Sequence, residues 1–154
     1  MSDTGATRNA VTRRGALLLA LAAPGAVTAQ AAPALRVEVW QDPNCGCCEG
    51  WARHMRAAGF EVAVHQVADV RRVKVARGIA EALWSCHTAV VEGYTVEGHV
   101  PAADVRRLLA ERPRAQGLAA PGMPASAPGM DIPGTRYTVV LFGTPDGDRT
   151  WARH

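Results

Sequence analysis

Three of the four cysteines in this 154-residue chain fall within four consecutive positions, as Cys45, Cys47 and Cys48, and the fourth is Cys86. A thiolate is both a nucleophile and a soft metal ligand, so the grouping supports disulfide exchange, disulfide cross-linking or metal binding. Cys45 and Cys48 frame a Cys-x-x-Cys motif, the spacing of a redox pair. His87 directly follows Cys86 and adds an imidazole. Met123 and Met130, each in a Pro-Gly-Met segment, add thioethers that serve copper better than zinc. His54 lies six residues past Cys48. That is roughly 9 Å along a helix, which assigns it to packing or the surface rather than to a metal at the helix start. His99, just ahead of Pro101, reads as a local hydrogen-bonding residue, and His65 as a core or edge residue of a strand. No Ser-His-Asp arrangement, paired carboxylates or phosphate-binding glycine loop stands in a convincing setting. Any catalytic role therefore falls to the thiols of Cys45 and Cys48.

The elements that must position these residues are legible in the hydrophobic pattern. Leu35 to Trp40 alternates apolar and polar residues as a strand does, and Gln41-Asp-Pro-Asn44 interrupts it. A helix then runs from the cysteines to Gly59, with Trp51, Met55 and Ala58 on one face and Gly59 at C′. Glu61 to His65 is a second strand. Asp69 is suited to N-cap a helix that turns Val70 and Val73 inward and stops at Gly78. A short turn over Ala80 to Leu83 leads to a strand at Thr88 to Val91. The Glu92-Gly93 turn folds Tyr94 to Glu97 back on it as a hairpin. Pro101 opens a helix with Val105, Leu108 and Leu109 inward. Residues 112–135 carry five Pro and four Gly and read as a loop, after which Tyr137 to Phe142 returns as one additional strand. The expected fold is α/β, a small mixed sheet flanked by helices, in a single domain over residues 32–154.

Within this layout Cys45 and Cys48 stand where a strand ends and a helix begins. The helix N-terminus favours thiolate over thiol there. Strand, Cys-x-x-Cys loop and helix together make a thioredoxin-like context, in which the loop before the third sheet strand faces the motif. That loop carries Cys86. Thioredoxins usually have Pro between the two cysteines and a cis-Pro in the facing loop, whereas this chain has Cys47 and His87, which add potential ligands. Thiolates select Cu(I), Zn(II) or iron–sulfur clusters. Structural zinc usually draws on two spaced knuckles, and adjacent Cys47 and Cys48 fit a single tetrahedral ion poorly. Sulfurs shared among several Cu(I) ions suit the crowding better. A redox disulfide without metal, zinc and purely structural disulfides remain as alternatives.

The first 31 residues read as an export signal. Arg8, Arg13 and Arg14 precede an apolar stretch from Ala16 to Ala23, Pro24-Gly25 break it, and Ala29-Gln30-Ala31 offers a small-x-small cleavage site. The Arg13-Arg14 pair is similar to a twin-arginine signal, with the general export route as the alternative. Cleavage would remove three of the 17 basic and one of the 14 acidic side chains, which leaves no basic face for nucleic acid or an anionic membrane. With 48% hydrophobic residues the chain is not disordered as a whole. It lacks the run of about 20 apolar residues that a membrane span needs.

Asp42-Pro-Asn-Cys-Gly-Cys-Cys48 with Trp51 and His54-Met55, Ser85-Cys-His-Thr-Ala89, Glu97-Gly-His-Val-Pro101 and Gly117-Leu-Ala-Ala-Pro-Gly-Met123 together resemble a bacterial family of unknown-function domains that includes the CopG copper-resistance proteins. The resemblance runs from about Leu35 to Phe142. It implies an exported, periplasmic, thioredoxin-like protein that binds copper through Cys45, Cys47, Cys48 and Cys86, as multinuclear Cu(I), in copper resistance or homeostasis. Its partners would be copper ions and other periplasmic copper-handling proteins. A thiol–disulfide oxidoreductase acting on protein substrates through Cys45 and Cys48 is the competing expectation.

Overall fold

Alternation of apolar residues sets the first strand, β1 (Arg36–Gln41), whose Val37, Val39 and Gln41 all turn inward. The computed structural model describes residues 1–2 and 34–154, so the export signal read over residues 1–31 falls outside it but for two residues. After β1 come α1 (Gly46–Ala57), β2 (Glu61–Gln66), α2 (Val70–Ala76), a 3₁₀ turn (Glu81–Leu83), β3 (Thr88–Val91), β4 (Tyr94–Glu97) and α3 (Ala102–Glu111). β5 (Gly117–Ala119), β6 (Thr138–Phe142) and β7 (Arg149–Arg153) complete the chain.

All seven strands join one mixed sheet in the order β2-β1-β3-β4-β5-β6-β7. β1 runs parallel to β2 and antiparallel to β3, and β3 and β4 form the expected hairpin. These strands with α1 and α3 make the thioredoxin-like half. Buried Cys48, Trp51, Ala52 and Met55 form the inner stripe of α1 at helical spacing. With Val105, Leu108 and Leu109 of α3 they cover the face that presents Val37, Val39, Val139 and Leu141. Ile79, Leu83 and Trp84 cover Ala119, Val140 and Phe142 on the other face.

Residues 112–135 are not the unbroken loop that their Pro and Gly content suggests. β5 lies inside them, parallel to β4 and antiparallel to β6. Only three residues long and buried at each, β5 shows neither alternation nor β-branched side chains, so no pattern announced it. One additional strand was expected, and three extend the sheet. Gly117 makes β5 fit: a Cβ there would overlap the Thr95 carbonyl oxygen of β4. β7 is an edge strand whose Trp151 alone is buried.

Gly117→Ala should therefore lower stability by about 2 kcal/mol, through overlap with backbone that has no room to yield. Gly46→Ala, where an added Cβ meets nothing within 4 Å, serves as the comparison. Thermal unfolding should show a clear fall in Tm for the first and little change for the second.

Candidate metal centre

The turn that ends β1 delivers the first cysteine. Asp42 accepts the Asn44 N–H on its side chain (2.8 Å) and the Cys45 N–H on its carbonyl (3.1 Å), turning the chain into α1. Cys45 is the N-cap residue, and Cys47 and Cys48 lie in the first turn of the helix. Cys48 is buried, whereas Cys45 and Cys47 are half-buried. Cys45 and Cys48 are joined in a disulfide, with 5.4 Å between their Cα atoms. Cys47 and Cys86 are free thiols. The Cys47 sulfur lies 3.4 Å from that of Cys45 and 3.9 Å from that of Cys86. All four sulfurs lie within 4.8 Å of one another, so the facing loop does bring Cys86 to the helix start.

Cys86 also belongs to a second cluster, with His87 and His99. The Cys86 sulfur is 2.9 Å from His99 Nε2 and 3.5 Å from His87 Nδ1. His99 Nδ1 donates to the Pro128 carbonyl at 2.7 Å, which leaves the Nε2 lone pair aimed at Cys86. Burial holds His99 below the usual histidine range and, with the neighbouring Cys47, pushes the Cys86 thiol up to about 12. Both groups are thus neutral, and the Cys86 S–H donates to His99 Nε2. His87 is fully buried between the rings of Trp51 (4.4 Å) and His99 (5.0 Å). Burial first, then His99 and Lys74, push it well below the usual range. Its Nε2 is one of three buried side-chain nitrogen or oxygen atoms without a partner among the described residues. The neutral His87 imidazole, which reaches the Cys86 sulfur through Nδ1, makes with His99 and the four sulfurs a donor set that fits a soft cation.

His99 is the residue that sequence reading misplaced. Its hydrogen bonds reach a sulfur and a carbonyl from distant segments, not a helix start. A signal was present, because counting outward from the Glu92-Gly93 turn pairs Val91 with Tyr94 and Thr88 with Glu97. The same count continued past the strand ends sets Cys86 against His99. His54 accepts the Ala102 N–H at 3.0 Å and so caps α3, away from both clusters. His65 is an exposed edge residue stacked on Trp40 and bonded to Glu38.

The two Pro-Gly-Met segments flank the cysteine loops. Gly122 donates to the Trp84 carbonyl at 2.9 Å and its own carbonyl accepts from Ser85 Oγ, beside Cys86. Gly129 packs directly on the backbone of α1, and a Cβ on Gly50 would stand 2.8 Å from the Gly129 oxygen. Met130 is half-buried and Met123 is 59% exposed.

A family model described as "Protein of unknown function, DUF411" matches residues 83–130, the stretch holding Cys86, His87, His99 and both Pro-Gly-Met segments. Two solved structures of a protein described as "Copper resistance protein copG", in its Form 2 and Form 1, are each 43% identical to this chain. Each match covers 79% of this chain and 98% of the other, with TM-scores of 0.74 and 0.73. This chain belongs to the CopG family. No curated protein matches it. Family membership extends over the α1 cysteines as well, so the CopG fold frames the entire cysteine cluster.

The raised thiol of Cys86 has a direct consequence in metal-free protein. Its alkylation rate should climb with pH toward about 12 without levelling off near the ordinary thiol value. Mass spectrometry of the Cys86 peptide after timed iodoacetamide treatment reads this out, and a plateau near pH 8–9 would contradict the neutral Cys86–His99 pair.

Proposed function

We propose that this CopG-family protein is an exported, periplasmic copper-binding protein that holds Cu(I) in a multinuclear cluster on Cys45, Cys47, Cys48 and Cys86, in copper resistance or homeostasis. The observation that carries the reading is the convergence of four sulfurs, from two loops far apart in sequence, within 4.8 Å of one another. Both similar solved structures are of a copper resistance protein, which supports copper as the cargo. Sulfur donors select Cu(I), and crowded thiolates repel one another unless cations are shared among them. His87 and His99, grouped with Cys86, would add nitrogen ligands, and Met130 and Met123 would be outer thioethers. Other periplasmic copper-handling proteins would deliver or receive the ions.

Loading requires chemistry at the cysteines. The Cys45–Cys48 disulfide must first accept two electrons and two protons from a reductant such as a dithiol, which restores two thiols. Each thiol then gives up its proton as its sulfur takes the metal, and Cys86 passes its proton away from His99. Metal affinity should accordingly rise with pH.

A second reading rests on the disulfide itself. Cys45 and Cys48 are bonded, and the free Cys47 thiol lies 3.4 Å from the Cys45 sulfur, within reach for exchange. On that reading the protein is a thiol–disulfide oxidoreductase for protein substrates.

Anaerobic titration of reduced protein with Cu(I) against a competing chelator separates the two. More than one copper should bind per chain, Cys86→Ser should lower both stoichiometry and affinity, and His54→Ala should leave both close to the parent's. A single ion indifferent to loss of Cys86 would contradict the cluster, and no tight copper at all would favour thiol exchange.

A further inference from the structure

Behind the cysteines lies a charge pair that the metal site does not use. Lys74 of α2 and Glu97 of β4 are 2% and 0% exposed, with 2.5 Å between Nζ and Oε1. Burying two charges is costly, and an apolar pair of similar volume would hold α2 on the sheet at least as well. Adhesion therefore does not account for the pair.

Its hydrogen bonds do. Glu97 Oε1 accepts from Lys74 Nζ and also from the Ser85 backbone N–H at 2.7 Å. Oε2 accepts from the Thr88 hydroxyl at 2.7 Å, and that hydroxyl oxygen accepts from Lys74 Nζ at 3.1 Å. Ser85 and Thr88 bracket the dipeptide Cys86-His87. One carboxylate takes these donors on its two oxygens at once. The turn that carries the distal cysteine is thus tied at both ends to one buried group, and Gly98, just past β4, reinforces it by donating its N–H to the His87 carbonyl at 3.0 Å.

We infer that Glu97, charge-balanced by Lys74, is a positioning residue for Cys86: its carboxylate pins Ser85 and Thr88 so that the thiol is held against Cys47 and His99. None of the hydrogen bonds that Glu97 makes goes to a sulfur or an imidazole. The consequence for metal rests on the copper-binding reading, whereas the geometric part stands without it.

Two double variants of the full chain test this. Lys74→Met/Glu97→Leu removes both charges and every acceptor. Lys74→Met/Glu97→Gln keeps an acceptor for the Ser85 N–H and a donor for Thr88. In metal-free protein, the leucine pair should alkylate at Cys86 about tenfold faster than the parent, while the glutamine pair stays within about twofold. In the Cu(I) titration the leucine pair should lose the same share of copper as Cys86→Ser, and combining the two should cost nothing further. The glutamine pair should bind as the parent does. An unchanged Cys86 rate in the leucine pair, or a copper loss that adds to that of Cys86→Ser, overturns the inference. Should the parent bind no copper while the alkylation pattern holds, the copper reading fails and the positioning role stands. If the leucine pair does not fold, Thr88→Val takes its place with the same two readouts and the same expected directions.

Discussion

Antiparallel pairing of β1 with β3 is the constraint on which the site depends. With Trp40 opposite Thr88, the loop leaving β1 and the loop entering β3 emerge side by side at one end of the sheet. The first becomes the cysteine-bearing start of α1 and the second carries Cys86. This pairing brings residues 39 positions apart close enough for a sulfur–sulfur distance of 3.9 Å. The β3–β4 hairpin adds His99 to the same end, and the strap around Gly129 closes over the first turn of α1 because two glycines permit backbone to touch backbone.

Placing four sulfurs together sets up a competition among three states for the same atoms. In the described structure two are tied in a disulfide and Cys86 keeps its proton, shared with His99. A bound soft cation is the third state, and it excludes both of the others at whichever sulfur it occupies. Burial tilts the balance, since it penalises a bare thiolate at Cys86 and a charged imidazole at His87 and His99 alike. The centre therefore resists charge of one sign at a time and favours neutral pairs: thiol with imidazole, or thiolate with cation.

Much of this was legible in the sequence, for identifiable reasons. β1, α1, the β3–β4 hairpin and α3 declare themselves by alternation, helical spacing and turn residues, and the strand-to-helix placement of Cys45 and Cys48 follows from them. Cys86 was legible as the facing residue because its position in the thioredoxin-like order is set by chain topology. β5 was not, since Gly117, Leu118 and Ala119 are buried on both faces and carry no pattern. His99 was hidden for another reason: its neighbour Pro101 signals a helix start, and that local signal masked the hairpin register. The Lys74–Glu97 pair was invisible because a lysine on a short, Arg-rich helix reads as a solvated residue, and only the packing of α2 on β1 and β3 buries it.

The central claim is that the cysteines act as one metal-sharing unit rather than as a redox pair with two bystanders. X-ray absorption at the copper edge on anaerobically loaded protein addresses it most directly. The account predicts an edge characteristic of Cu(I), a first shell dominated by sulfur, and a short copper–copper vector. A lone copper with a nitrogen or oxygen shell and no metal neighbour would contradict it.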